Sequence, residues 1–127
     1  MTPTWINKAT VLAIHDEQLA EHGGLAGVRD MVGLESALAR PLNLALYGQP
    51  EIFDLAASYA CGLGQRQYLI DGNKRVSAVV TELFLELNGF TLTASDSEIV
   101  ETWRLLADNK LSEQEVAKWL RQQCRQY

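Results

Sequence analysis

Apolar positions recur at helical spacing along most of the chain. The cleanest case is Val76, Val79, Val80, Leu83, Phe84 and Leu87, which fall at i, i+3, i+4, i+7, i+8 and i+11 and form one stripe of a 3.6-residue helix. Asn88-Gly89 closes it, because glycine takes the left-handed conformation of a helix stop. Near the N-terminus, Val11, Leu12, His15, Leu19 and His22 mark a helix over Lys8–His22, ended by Gly23-Gly24. A Gly-bearing segment, Leu25 to Gly33, follows. The pattern then predicts a short helix over Leu34–Arg40, stopped by Pro41, since the residue before proline is steered away from helical geometry. Leu42 to Gln49 reads as an apolar loop bounded by the breakers Gly48 and Pro50. Proline suits a first helical position, so the next helix spans about Glu51 to Leu63. Its small residues Ala56, Ala57, Ala60 and Gly62 suit close packing. Phe90–Thr93 is a short extended piece. Ser95 with Glu98, and Ser112 with Glu115, have capping-box spacing and open two more helices. In the last of them Val116, Trp119 and Leu120 form the buried edge. No repeat, low-complexity tract or long linker interrupts the series. The expectation is all-α: a single-domain bundle over residues 1–127, around a central helix that starts near Gly72.

Composition adds limits. A chain of 127 residues with 47% hydrophobic and 21% charged content has enough apolar surface for one core. Its net charge of −5 argues against direct nucleic-acid binding, which needs a basic surface, yet leaves room for a local basic pocket. Cys61 and Cys124 show no metal-ligand spacing and read as free thiols. No apolar run approaches a membrane span, and Met1 to Trp5 lacks signal-peptide character. A cytoplasmic location, away from membranes, is the resulting expectation.

Candidate chemistry concentrates at Asp71-Gly72-Asn73-Lys74-Arg75, where an irregular connector becomes the central helix. The first N–H groups of a helix lack intrahelical partners and, with the helix dipole, attract anions. Gly72 lets a ligand approach the backbone. Lys74 supplies a compact charge and Arg75 a planar fork, both suited to phosphate. Asp71 offers a carboxylate for Mg²⁺, which is commonly shared between a carboxylate or two and substrate phosphates. The same residues also make an ordinary turn, with Asp71 as N-cap and both cations solvated. On their own they do not choose between the two readings. Trp5, Trp103 and Trp119 sit among leucines at helical spacing and are read as packing residues.

The run Leu69 to Arg75 resembles the core motif of the Fic/Doc family, and within it the Doc branch. His22 to Asp30, Gly33 to Pro41 and Leu85 to Gly89 continue the resemblance in family order. What it implies is a small helical bundle acting as the toxin of a toxin–antitoxin module. Such a toxin moves a phosphoryl group from ATP, with Mg²⁺, to a threonine of elongation factor Tu. Its partner is a small, Phd-like antitoxin. By position, Asp71 corresponds to the metal-linked acid, and Gly72, Asn73, Lys74 and Arg75 to the nucleotide and phosphate contacts. AMP-transferring relatives usually carry glycine at the place of Lys74 and a second arginine at the place of Ala78; the chain departs from them at both.

One departure touches catalysis. The family's motif histidine, expected to take the proton of the attacking hydroxyl, is replaced by Gln67, and its phenylalanine by Leu69. An imidazole titrates near neutral pH, whereas an amide hydrogen-bonds without accepting a proton. His15 and His22 are read as packed or helix-end residues, and the phenol of neighbouring Tyr68 is not read as a stand-in, since phenols in general ionise far above neutral pH. The expectation is therefore a phosphate site with weak or absent transfer, whether Gln67 is natural or introduced. A non-catalytic protein that binds a nucleotide or an antitoxin, and an AMP transferase, remain the alternatives.

Overall fold

The computed structural model describes residues 2–127. Its elements run α1 (Lys8–His22), α2 (Met31–Tyr47), α3 (Ile52–Gly64), α4 (Asn73–Leu87), β1 (Phe90–Leu92), α5 (Asp96–Ala107), α6 (Glu113–Gln123) and β2 (Cys124–Gln126). The architecture is all-α, with one small two-stranded sheet. α3 and α4 form its centre. Every residue of α3 from Leu55 to Gly64 is buried, and α2, α4, α5 and α6 pack around it. In α4 the predicted stripe holds: Val76, Val80 and Phe84 are enclosed, Val79 and Leu83 lie at its margin, and Leu87 reaches solvent.

Small residues set how closely the helices approach. A Cβ at Gly64 would stand 2.7 Å from Leu106 and 3.1 Å from the Ser77 hydroxyl. Ser77 itself joins three helices. Its Oγ donates to the Ala60 carbonyl and accepts the Trp103 indole N–H, each at 2.8 Å. Trp103 is thus a core residue, with its polar atom satisfied; its ring lies edge-on to Trp119, centroids 6.1 Å apart. Ser77→Ala should cost about 1–3 kcal/mol, because it strands a buried N–H donor. Urea unfolding with an unchanged m-value checks this, and an unaltered midpoint would reject the role.

Both capping boxes form as expected at Ser95–Glu98 and Ser112–Glu115. Two local expectations fail, for one reason. The short helix does not stop at Pro41, and Leu42–Gln49 is not a loop: α2 runs on to Tyr47, with Pro41 buried inside it. Pro41 removes the helical partner of the Ala37 carbonyl. A Cβ at Gly62 would stand 3.6 Å from that oxygen, so α3 comes close where the ladder is broken. Burial of Leu34, Leu38 and Pro41 along one side outweighs the local preference against continuing.

The extended piece after α4 is strand β1. Its partner β2 was not foreseen, and the two pair antiparallel in the register Phe90–Gln126, Thr91–Arg125, Leu92–Cys124. The N-terminal segment is tied to the bundle by fully buried Tyr59, whose hydroxyl accepts the Ile6 N–H at 3.0 Å and donates back to the Ile6 carbonyl at 3.3 Å.

Candidate active site

α4 starts unlike the other helices. Its N-cap is Gly72, in the left-handed region at φ +81°, and no side chain caps it. The capped-turn reading with Asp71 as N-cap is thereby set aside. The Asp71 carboxylate instead accepts the Gly72 N–H at 2.9 Å through Oδ1 and the Leu25 N–H at 3.2 Å through Oδ2. The leading N–H groups of α4 are left for solvent or a ligand.

The side chain of Asn73 is engaged within the loop. Its Oδ1 accepts the Leu69 N–H and its Nδ2 donates to the Leu69 carbonyl, both at 3.0 Å. The side chain therefore closes the Leu69–Asn73 loop on itself, and only the backbone N–H of Asn73 remains for an anion. Leu69 is buried, the apolar plug that its motif position calls for.

A second strip of backbone holds the loop from outside. Segment Gly27–Asp30 lies along Tyr68–Ile70, with an isolated bridge between Val28 and Leu69. Tyr68 O accepts from Arg29 N and Asp30 N, and Gly27 O accepts from Ile70 N. Gly23, Gly24 and Gly27 all have positive φ. At Gly24 a Cβ would stand 2.7 Å from Asp71 Oδ2, so a side chain there would displace the carboxylate. The segment that borders the loop is thus Leu25–Asp30.

A groove of about 900 Å³ opens over this loop and along α4 to α5. It gathers Gln67, Asp71, Gly72, Asn73, Lys74 and Arg75 on one wall, with Arg66 beside them. A smaller hollow, about 330 Å³ near Leu44 and Glu113, contains none of the candidate residues. Among the described residues Arg66, Lys74 and Arg75 take part in no ion pair. The same groove is also lined by Glu82 of α4 and by Asp96, Arg104 and Asp108 at the two ends of α5. A chain of net charge −5 thus still gathers Arg66, Lys74 and Arg75 at the loop, a local concentration of positive charge that attracts phosphate.

Gln67 is exposed, and its Oε1 accepts from Arg29 Nη1 at 3.0 Å. A guanidinium only donates, so the amide must turn its oxygen to Arg29 and its NH₂ elsewhere. The group at the motif-histidine position is therefore a hydrogen-bond donor held by a cation. His22 lines the groove at the end of α1. His15 is buried away from solvent, and its Nε2 lies 2.9 Å from the Asp71 carbonyl. Sequence reasoning placed the loop residues together but missed the contact of Arg29 with Gln67 and the backbone N–H of Leu25 at Asp71. The glycines marked a loop there, yet no spacing tells which segment it will border.

Glu82 is held above the ordinary glutamate range by burial first, then by Glu86 and Asp96. Its raised folded-state pKa favours the protonated form. The stability this gives is present below about pH 4.3 and is lost as pH rises through the folded value. Glu82→Gln should therefore raise Tm at pH 7–8, with the gain fading toward pH 4; an equal shift at every pH would reject this origin. Burial also pushes the thiols up, Cys61 to about 12 and Cys124 to about 11, so neither is a nucleophile at neutral pH.

Among the described residues no three His, Cys, Asp or Glu side chains gather as a metal cluster. Asp71 alone offers exposed hard oxygens at the loop, each keeping a second lone pair. That donor set suits an ion arriving with phosphates better than a resident metal. No helix among the described residues is long and apolar enough to cross a membrane.

The amino-acid sequence is similar to those of known proteins. The chain is 39% identical over 75 residues to "Toxin Doc" of Mycolicibacterium smegmatis (strain ATCC 700084 / mc(2)155), a stretch spanning 57% of each. It is 27% identical over 117 residues to "Protein kinase doc" of Escherichia phage P1, covering 91% of this chain and 92% of that one. The model of the Fic/DOC family matches residues 5–85, from Trp5 through the loop and nearly all of α4, and the chain belongs to that family.

Proposed function

We propose that the groove binds ATP with Mg²⁺ and that the chain is a Doc-like toxin of a toxin–antitoxin module. Its reaction would be phosphoryl transfer to a threonine hydroxyl of a translation factor resembling elongation factor Tu, impaired by Gln67. The observation that carries this is the wall where the uncapped start of α4, Lys74, Arg75 and Asp71 meet. Relatives named as a toxin and as a protein kinase support the class. A partner antitoxin, Phd-like, belongs to the same reading.

In the proposed reaction the hydroxyl oxygen forms a bond to the γ-phosphorus, the bond from that phosphorus to the β–γ bridging oxygen breaks, and ADP leaves. Lys74, Arg75 and the backbone N–H groups of α4 would hold phosphate oxygens and offset the charge that develops on them. Asp71 would hold Mg²⁺, which supplies charge neutralisation between phosphates. The hydroxyl proton has no acceptor at Gln67, because an amide does not take one at neutral pH.

That point gives the second reading its weight: a non-catalytic member that keeps the ligand and its protein partner. The Arg29–Gln67 hydrogen bond favours it. Calorimetry with ATP and Mg²⁺ separates the cases when combined with transfer assays using label at the γ or the α position. The chain as it stands should bind ATP with transfer near background. Arg75→Ala should weaken binding by about tenfold or more, the worth of a charge-assisted hydrogen bond. No ATP binding at millimolar concentration would sink the proposal, and label moving from the α position would make it an AMP transferase.

A further inference from the structure

His15 is the one fully enclosed imidazole in the chain, 3% exposed, and its Nε2 lies 2.9 Å from the Asp71 main-chain oxygen. A carbonyl oxygen only accepts, so Nε2 carries the hydrogen and donates. The contact reaches from the middle of α1 to the turn before α4, across 56 positions of sequence. In a planar peptide the C=O and N–H point in opposite directions. Anchoring the Asp71 carbonyl inward on His15 therefore aims the N–H of the same peptide unit, that of Gly72, outward. There it donates to Asp71 Oδ1 at 2.9 Å. The left-handed Gly72 completes the geometry at φ +81°, with the His15 ring at ordinary contact distance, 3.9 Å from where a Cβ would stand.

We propose that His15 is a positioning residue: through the Asp71–Gly72 peptide plane it fixes the direction of the Asp71 carboxylate and of the first N–H groups of α4. It touches neither ligand nor reacting atoms. Without it, that peptide is free to rotate, the Gly72 N–H leaves Oδ1, and the carboxylate is held only by the Leu25 N–H. The consequence for ligand binding rests on the nucleotide reading given above; the consequence for the peptide does not.

The test compares the full chain with His15→Leu, His15→Gln and His15→Asn. Glutamine places an N–H as many bonds from Cα as Nε2, whereas asparagine is one bond short. Exchange of the Gly72 amide with water should quicken about tenfold in His15→Leu and His15→Asn, the effect of losing one supporting hydrogen bond, and return most of the way in His15→Gln. Affinity for ATP should fall by a similar factor with Mg²⁺ and by less in EDTA, again recovered by His15→Gln. Should His15→Leu fail to fold, His15→Asn against His15→Gln makes the same comparison. Gly72 exchange alike in all variants overturns the proposal. So does a lowered Tm with the Mg²⁺ dependence of ATP binding unchanged, which is what a packing role alone would give. Absence of ATP binding by the unsubstituted chain would strike the nucleotide reading and leave the amide exchange to decide on His15.

Discussion

Gln67→His should raise phosphoryl transfer from ATP to a protein hydroxyl by about 10²–10⁴-fold, the usual contribution of a positioned general base. Induction of that variant in bacteria should arrest growth where the unsubstituted chain does so weakly or not at all. The surroundings favour the outcome. Gln67 is exposed and lines the groove together with Asp71, Lys74 and Arg75, so a ring at this position would open onto the proposed nucleotide site. Arg29 Nη1 donates to Oε1 at 3.0 Å, and that cation would lie beside an introduced imidazole. A like charge disfavours the protonated ring, which keeps a lone pair available at neutral pH. The pH–rate profile of Gln67→His should accordingly move upward when Arg29→Met is added. No growth arrest, together with no labelled phosphate moving from ATP to any protein, would remove the kinase reading and leave the binding one.

Asn73→Asp is expected to be the most damaging conservative change in the loop. The two side chains have nearly the same shape. One carboxylate oxygen could still accept the Leu69 N–H, as Oδ1 does now at 3.0 Å. The other would face the Leu69 carbonyl, to which Nδ2 now donates at 3.0 Å. Two acceptors would then oppose each other, one of them charged, in a part-buried place. The loss should be about 1–3 kcal/mol, read as a fall in Tm of about 3–12 °C for a domain of this size. ATP binding should weaken as well, because the loop opens and a negative charge enters an anion site. Asn73→Ala should give a smaller loss of stability, since it removes the clamp without adding repulsion. If Asn73 served only to touch a ligand, Asn73→Asp would leave Tm where it was, and that result would reject the clamp.

Much of this was legible in the sequence, for identifiable reasons. Helices α1 and α4 were predicted almost to the residue because their apolar spacing and glycine stops are local signals. The same holds for α5 and α6, whose serine and glutamate caps lie within one turn. The all-α class follows from those elements. Asp71 to Arg75 could be recognised as a unit because contiguous residues at a helix start stay together in any fold.

Tertiary structure decided what depends on residues far apart. Pro41 was expected to end a helix; burial against α3 carried α2 through it to Tyr47. Strand β2 has no pattern of its own and exists because β1 lies beside it. Asn73 was expected at a phosphate and was found bonded to Leu69. Arg29 stood within the segment His22 to Asp30 and His15 on the stripe of α1, but neither position told its partner; only folding brings the first to Gln67 and the second to the Asp71 carbonyl. Local spacing encodes which residues form a helix and where its ends are free, because those energies are set within a turn or two. Which side chain orients the freed groups is set by packing across the bundle, so the chain alone showed the loop and its missing base, and the fold showed what holds them in place.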